Sequence, residues 1–344
     1  MLNAYRKSAR ERESQGIPPL PLSADQAQEL TSLLEKPPNE EDDQFLLHLF
    51  KNRIPPGVDQ AAYVKATWLT SVSLGDTNTN LINPIEATNL LGTMVGGYNV
   101  SALIEILKNK NKVLANCAAD NLSQIVLVYD ALNEILELSK NNTFAKKVIQ
   151  SWATAEWFTS KAKLADEITV TVFKVEGETN TDDLSPATHA TTRPDIPLHA
   201  LAMLESRIPD GIQQIAKLKE KGYPIAYVGD VVGTGSSRKS AINSVLWYIG
   251  KDIPFIPNKR SGGVILGGKI APIFFNTAED SGALPIECDV SQLTTGNIIT
   301  IKPYQGTIEL HTEDKKNNSQ VTTFNLKPST ITDEVQAGGR IPLM

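Results

Sequence analysis

At 344 residues the chain is too long for one ordinary core, so two domains are expected. Its 41% hydrophobic and 21% charged residues are those of a soluble globular protein, and a net charge of −6 speaks against broad binding to nucleic acid. A charged amino terminus and the lack of a long apolar run point away from a signal peptide or a membrane span, so the cytoplasm is the expected compartment.

Residues 1–160 read as helix after helix. Ser23 with Gln26 forms a capping-box pattern ahead of Leu30, Leu33 and Leu34. Phe45, Leu46, Leu49 and Phe50 give a stripe at helical spacing, stopped by Ile54-Pro55-Pro56-Gly57. A further helix starts at Asp59, with Tyr63, Ala66, Leu69 and Leu74 on one face, and closes at Gly75. Asn83-Pro84 with Glu86 marks another start. More stripes follow at Leu103, Ile104 and Leu107, at Leu122, Ile125, Val126 and Tyr129, and at Phe144, Val148, Trp152 and Trp157. Short helices at roughly forty residues per pair suggest a HEAT-like α-solenoid, with an irregular bundle as the alternative.

From residue 161 to 344 the pattern mixes strands and helices, an α/β or α+β domain. Ile168 to Val175 alternates and is β-branched, which predicts a strand. Residues 194–204 and 211–221 read as helical. Residues 225–228 form a short buried strand, followed by a glycine-rich loop and a helix over about 237–249. Residues 270–275 precede another helical turn. Residues 298–301 and 307–310 suggest a hairpin, 315–319 the next turn, and 322–326 a further strand. Cys117 and Cys288 lack a Cys-x-x-Cys partner and read as reduced, buried thiols. The four histidines show no paired metal-ligand spacing.

The chemistry concentrates in Gly229-Asp-Val-Val-Gly233-Thr-Gly235-Ser236-Ser237-Arg238-Lys239-Ser240, between a strand and a helix. That is where the first N–H groups of a helix point at an anion. Arg238 excludes both a Walker A loop and a dinucleotide fingerprint, because it stands where each needs glycine. Two hydroxyls and a guanidinium at a helix start suit a carboxylate. Alone, this would read more readily as a Gly-Ser turn with a surface arginine. The polar, aperiodic Thr179-Asn-Thr-Asp182-Asp183-Leu184-Ser185-Pro186-Ala187 and Arg193-Pro194-Asp195-Ile196-Pro197 shift the balance. Two arginines and two serines in loops of one domain suggest a pocket for a polycarboxylate. Lys259 and Arg260, basic and loop-borne, fit a structural or a substrate-side role equally well.

These segments, together with Pro257-Asn258-Lys259-Arg260, Gly267-Gly268-Lys269-Ile270-Ala271-Pro272 and Leu91-Gly92-Thr93-Met94-Val95-Gly96-Gly97-Tyr98-Asn99, resemble the bacterial aconitase B family. The resemblance spans nearly the whole chain. Asp183 stands where A-type aconitases usually carry histidine, which again points to the B type. It implies an all-α HEAT-like domain at 1–160 and an aconitase swivel domain at 161–344. Ser236 would be the base that removes a proton beside a carboxylate of citrate or isocitrate, en route to cis-aconitate, or of 2-methylisocitrate. Ser236, Ser237 and Arg238 would bind the substrate, and Arg193 another of its carboxylates. The family's [4Fe–4S] cluster is expected only on further domains or on a separate chain, because no trio of cluster cysteines is present. The implied partners are a tricarboxylate and a cluster-bearing aconitase half, in trans or in a longer chain. The helical domain is a candidate surface for homodimerisation, and RNA is a candidate partner that the net charge does not favour. On this reading the chain alone does not turn over. The alternative is a non-catalytic binding or regulatory protein.

Overall fold

The computed structural model describes residues 1–311 and 319–344; the turn expected at 315–319 lies, but for Ser319, outside them. The chain divides into two compact units, Met1–Lys161 with Pro254–Pro257, and Ala162–Ile253 with Asn258–Met344. Among the described residues no helix is long and apolar enough to cross a membrane.

The first unit is helical: α1 (Leu2–Glu13), α2 (Ala24–Glu35), α3 (Asp43–Asn52), α4 (Gln60–Leu74), α5 (Pro84–Gly92), α6 (Tyr98–Leu107), α7 (Lys112–Ser123), α8 (Ala131–Ser139), α9 (Thr143–Ala153) and α10 (Glu156–Thr159). Side-chain oxygens open many of these helices by taking up otherwise orphaned N–H groups. The Ser23 hydroxyl accepts from the Gln26 N–H at 3.2 Å, and the Gln26 side chain accepts from the Ser23 N–H at 3.0 Å. Asn83 Oδ1 accepts from the Glu86 N–H at 3.0 Å, with Pro84 in the first turn. Leu46, Leu49, Phe50, Leu69, Leu103, Ile104, Leu107 and Val148 all enter one core.

Two expected stripes differ from the structure. Tyr63 is 53% exposed and meets the ring of Tyr98 edge-on, while α4 buries Ala62, Ala66, Leu69 and Val72. Helix α7 stops at Ser123, so Ile125, Val126 and Tyr129 lie in the connection to α8, and Tyr129 has a left-handed backbone and is 79% exposed. Ile125, Val126 and Val128 are β-branched, which lowers helix propensity over that run.

The second unit is built on one seven-stranded sheet in the order β6-β5-β2-β1-β7-β8-β9. Its strands are β1 (Ile168–Asn180), β2 (Ile225–Thr234), β5 (Val264–Ile270), β6 (Leu284–Glu287), β7 (Ile298–Lys302), β8 (Thr307–Leu310) and β9 (Ser319–Thr323), with β3 (Lys251–Asp252) and β4 (Arg260–Ser261) forming a separate ribbon. Strands β6, β5, β2 and β1 run parallel, and β7, β8 and β9 extend the sheet as an antiparallel meander. Its helices are α11 (Thr181–Leu184), α12 (Ile196–Ala200), α13 (Gly211–Lys219), α14 (Arg238–Ile249), α15 (Pro272–Asp280), α16 (Ile331–Ala337) and α17 (Arg340–Leu343). Alternation along β2 sorts its side chains onto two cores. Ile225 and Tyr227 pack with α13, α14 and α15, whereas Ala226 and Val228 face the core containing Ile286, Ile299 and Ile331.

The central strands are longer than their apolar patterns suggest: β1 runs to Asn180 and β2 to Thr234, because each pairs through residues that alternation alone assigns to loop. Pairing also makes strands of 264–270 and 284–287, which carry weak local signals. Pro272 starts α15, so 272–275 is helix. The helix expected at 194–204 contracts to Ile196–Ala200, and the last strand sits at Ser319–Thr323. Cys288 is buried; Cys117, expected to be buried as well, is only partly so.

A buried carboxyl pair ties α15 to α16. Glu279 and Glu334 are 2% and 3% exposed, and each charge is felt by the other carboxyl site in the little-solvated space between the helices. Burial, then the charge of Glu334, pushes Glu279 up to about 7, against the opposing pull of Arg340. A raised carboxyl stabilises the fold below its unfolded value near 4.5, and that contribution is lost as pH rises through 7. Glu279→Gln is therefore expected to stabilise the protein by about 3 kcal/mol at pH 8.5 and to be nearly neutral at pH 4. Thermal unfolding across that range checks this, and equal effects at both ends would refute it.

Candidate active site

Three neighbouring parallel strands deliver their carboxyl ends to one edge of the sheet. β1 ends at Asn180 and runs into α11, β2 ends at Thr234 ahead of α14, and β5 ends at Ile270 ahead of α15. In open α/β sheets this edge is where ligands bind.

The loop after β2 is bent by two glycines and wedged between α11 and α15. Gly233 has φ +80°, and a Cβ there would stand 2.2 Å from Phe274 Cγ. Gly235 has φ +106°, and its Cβ would stand 2.5 Å from the hydroxyl oxygen of Thr181. Only glycine accepts both the left-handed backbone and the close approach. The loop is held at each end: the Thr234 hydroxyl donates to Glu178 Oε1 at 2.6 Å, and the Ser237 N–H donates to Thr181 Oγ1 at 3.2 Å.

Ser236 is exposed between those two anchors, and among the described residues its hydroxyl has no hydrogen-bond partner. Ser237 occupies the N-cap of α14, yet its side chain makes no capping bond. Two hydroxyls and the first amide groups of α14 are thus presented together, where the helix end favours negative charge. Arg238 is half-buried and donates from Nη1 to the Gly235 carbonyl at 3.1 Å, which leaves most of its guanidinium donors for a ligand. The arrangement suits a carboxylate.

Arg193 sits just before α12, and its Nη1 is buried without a partner. No hydrogen bond or ion pair among the described residues joins Arg193 to Ser236, Ser237 or Arg238. Beside α14 runs a polar cleft of about 220 Å³, lined by residues 194–196 and His199 opposite Ser240, Asn243 and Ser244. His199 Nε2 is 3.1 Å from the Ser185 hydroxyl, which fixes the ring at the cleft wall. Arg260 is a structural residue: it lies over the Trp247 ring and hydrogen-bonds to Asp252 and to the Trp247 carbonyl.

Sequence reasoning overlooked the residues that brace the loop. Asn180 caps α11 by accepting from the Asp182 and Asp183 N–H groups at 2.8 Å, while Asp183 accepts from the Asn180 N–H at 3.0 Å. The Asn-x-x-Asp spacing is a capping-box pattern and could have flagged this turn. Thr181, Glu178 and Arg207 carry no local signal.

With that geometry in place, the likeness to known proteins is specific. Residues 4–158 match the family model described as Aconitate B N-terminal domain, and residues 170–344 the one described as Aconitate hydratase 2 N-terminus. The chain therefore carries the amino-terminal region of an aconitase-type protein. It is 62% identical over 344 residues to Aconitate hydratase B of Synechocystis sp. (strain ATCC 27184 / PCC 6803 / Kazusa). It is 56% and 55% identical over 355 residues to Aconitate hydratase B of Salmonella typhimurium and of Escherichia coli. The chain belongs to the aconitate hydratase B family. All of it aligns with these relatives, but it spans only 39–40% of their length. Among solved structures it is similar to a 3-isopropylmalate dehydratase of Methanocaldococcus jannaschii at 22% identity. That match covers 52% of this chain and 92% of the other, at a TM-score of 0.36, too low to carry an argument.

Proposed function

We propose that this chain supplies the carboxylate-gripping, base-bearing half of an aconitase-type hydro-lyase acting on citrate, isocitrate or 2-methylisocitrate. The observation that carries the reading is the loop before α14. It presents two serine hydroxyls, uncapped helix amides and the Arg238 guanidinium side by side, at the carboxyl edge of the parallel strands. Arg238, with Ser237 and the amides, holds one carboxylate of the substrate and orients it. Ser236 takes the proton from the carbon next to that carboxylate. A serine hydroxyl does this only if its alkoxide is stabilised, and the positive end of α14 together with Arg238 provides that. Arg193 receives a second carboxylate of the substrate; its buried, unpartnered Nη1 supports this role.

The family's iron–sulfur cluster does not fit the residues of this chain. Cys117 belongs to one compact unit and Cys288 to the other, and burial pushes the Cys288 thiol up to about 12. Among the described residues no group of three or more His, Cys, Asp or Glu is placed to hold a metal ion. The cluster is assigned instead to the part of the relatives that this chain does not span, or to a separate chain.

The finer architecture belongs to the same reading. The helical domain, 1–160, is proposed to be a HEAT-like solenoid: α4 packs on α5 and α6, α7 on α5, α6 and α9, and α8 on α9, a neighbour-to-neighbour stacking. The domain at 161–344 is proposed to be the swivel domain.

The test is reconstitution. Mixing the chain with a cluster-bearing aconitase portion is expected to raise aconitate formation above that of the portion alone. No gain at saturating concentrations of the chain would refute the enzymatic reading and favour a binding role.

A further inference from the structure

The loop that carries Ser236 is anchored on both sides by one short stretch of backbone. Thr234, before it, bonds to the Glu178 carboxylate, and Ser237, after it, bonds to the Thr181 hydroxyl. The stretch 176–181 therefore sets where Ser236 stands. That stretch is irregular. The ladder between β1 and β2 shifts register between Val175 and Glu178 and again between Thr179 and Asn180, with Gly177 at φ +74°. A bulge leaves backbone carbonyls without ladder partners and lets the strand end drift unless something else holds it.

Two side chains hold it: the Asp230 carboxylate accepts the Gly177 N–H at 2.7 Å, and Arg207 grips the carbonyls on either side. The Arg207 guanidinium, arriving from the connection between α12 and α13, donates from Nη2 to the Glu176 carbonyl at 2.6 Å and from Nη1 to the Glu178 carbonyl. The same Nη1 lies 3.3 Å from Asp183 Oδ2, the oxygen that accepts the Asn180 N–H of the α11 capping box. The main chain of this region closes the bracket, because the Leu204 N–H donates to the Asp183 carbonyl at 2.7 Å. The planar fork reaches two carbonyls of the bulge and the carboxylate of the cap, which a lysine with its single ammonium cannot match.

We propose that Arg207 is a positioning residue for the Ser236 loop. It fixes the 176–183 segment, and through Glu178 and Thr181 it fixes the two ends of the loop. It does not touch the ligand itself. The ligand part of this inference rests on the carboxylate reading of the loop, whereas the clamp stands on the hydrogen bonds alone.

The experiment is backbone amide exchange on the whole chain, comparing wild type, Arg207→Ala and Arg207→Lys, each with and without methylguanidinium. Arg207 lies at the surface, so its removal leaves both cores of the second unit intact. In Arg207→Ala the Ser237 amide is expected to exchange about tenfold faster, while Phe173 and Val228 in the sheet keep their rates. Methylguanidinium restores the slow rate, and lysine restores it only in part. Citrate affinity is expected to fall by about fivefold in Arg207→Ala and to recover with methylguanidinium. An unchanged Ser237 rate overturns the proposal. So does a rate increase shared equally by Phe173 and Val228, which would make Arg207 a general stabiliser. If the wild type binds no citrate, the carboxylate reading fails, and the exchange rates still decide the clamp.

Discussion

Replacing Ser236 by alanine, in the chain combined with a cluster-bearing aconitase portion, is expected to lower turnover by roughly 10² to 10⁴-fold with little change in KM. The asymmetry follows from the loop. On the proposed reading, carboxylate binding falls mainly to Arg238, Ser237 and the first amides of α14, and these stay in place when one exposed hydroxyl is removed. Proton abstraction has no substitute there: among the described residues the only titratable side chain that hydrogen-bonds within 235–238 is the Arg238 guanidinium, a donor and not a base. Ser236→Cys tests the same point from the other side, since it restores an ionisable group at the same atom. Aconitate formation by the Ser236→Ala mixture at the wild-type rate would remove Ser236 from the base role.

Gly233→Ala is expected to destabilise the second unit by roughly 3 kcal/mol, from a left-handed backbone and a clash that each cost 1 to 3 kcal/mol. The new methyl would enter the Phe274 ring, 2.2 Å from its Cγ, and Phe274 is fully buried in the core beneath α14 and α15. Neither side can yield easily, because Gly233 is the penultimate residue of β2 and Ala271, next to α15, donates its N–H to Val232 at 2.8 Å. The melting temperature is expected to fall by roughly 10 °C. Phe274→Leu should recover part of that loss, which a double-mutant cycle reads as a coupling between the two positions. Additive effects would contradict the packing argument.

What could be read from the sequence was what depends on local chemistry. The Ser23–Gln26 capping box, the Asn83-Pro84 start, the stops at proline and glycine, and the placing of Ser236, Ser237 and Arg238 between a strand and a helix all follow from neighbours in the chain. What could not be read depends on pairing. Residues 229–234 look like loop because of their glycines, yet they are strand because β1 and β5 flank them. Tyr63 has the spacing of a core residue, but α4 turns its alanines inward instead. At the site, the glycine-rich loop between β2 and α14 was legible and its scaffold was not. Arg207 stands 31 residues after Glu176, and only the fold brings them together.

The central claim is that the loop before α14 binds a carboxylate, and titrating the chain with citrate while following backbone amide resonances tests it most directly. The account predicts that citrate shifts the amides of Ser236, Ser237 and Arg238 first, that Arg193 follows, and that Arg238→Ala abolishes the response. Citrate that leaves those amides unmoved, or that shifts them equally in Arg238→Ala, would contradict it.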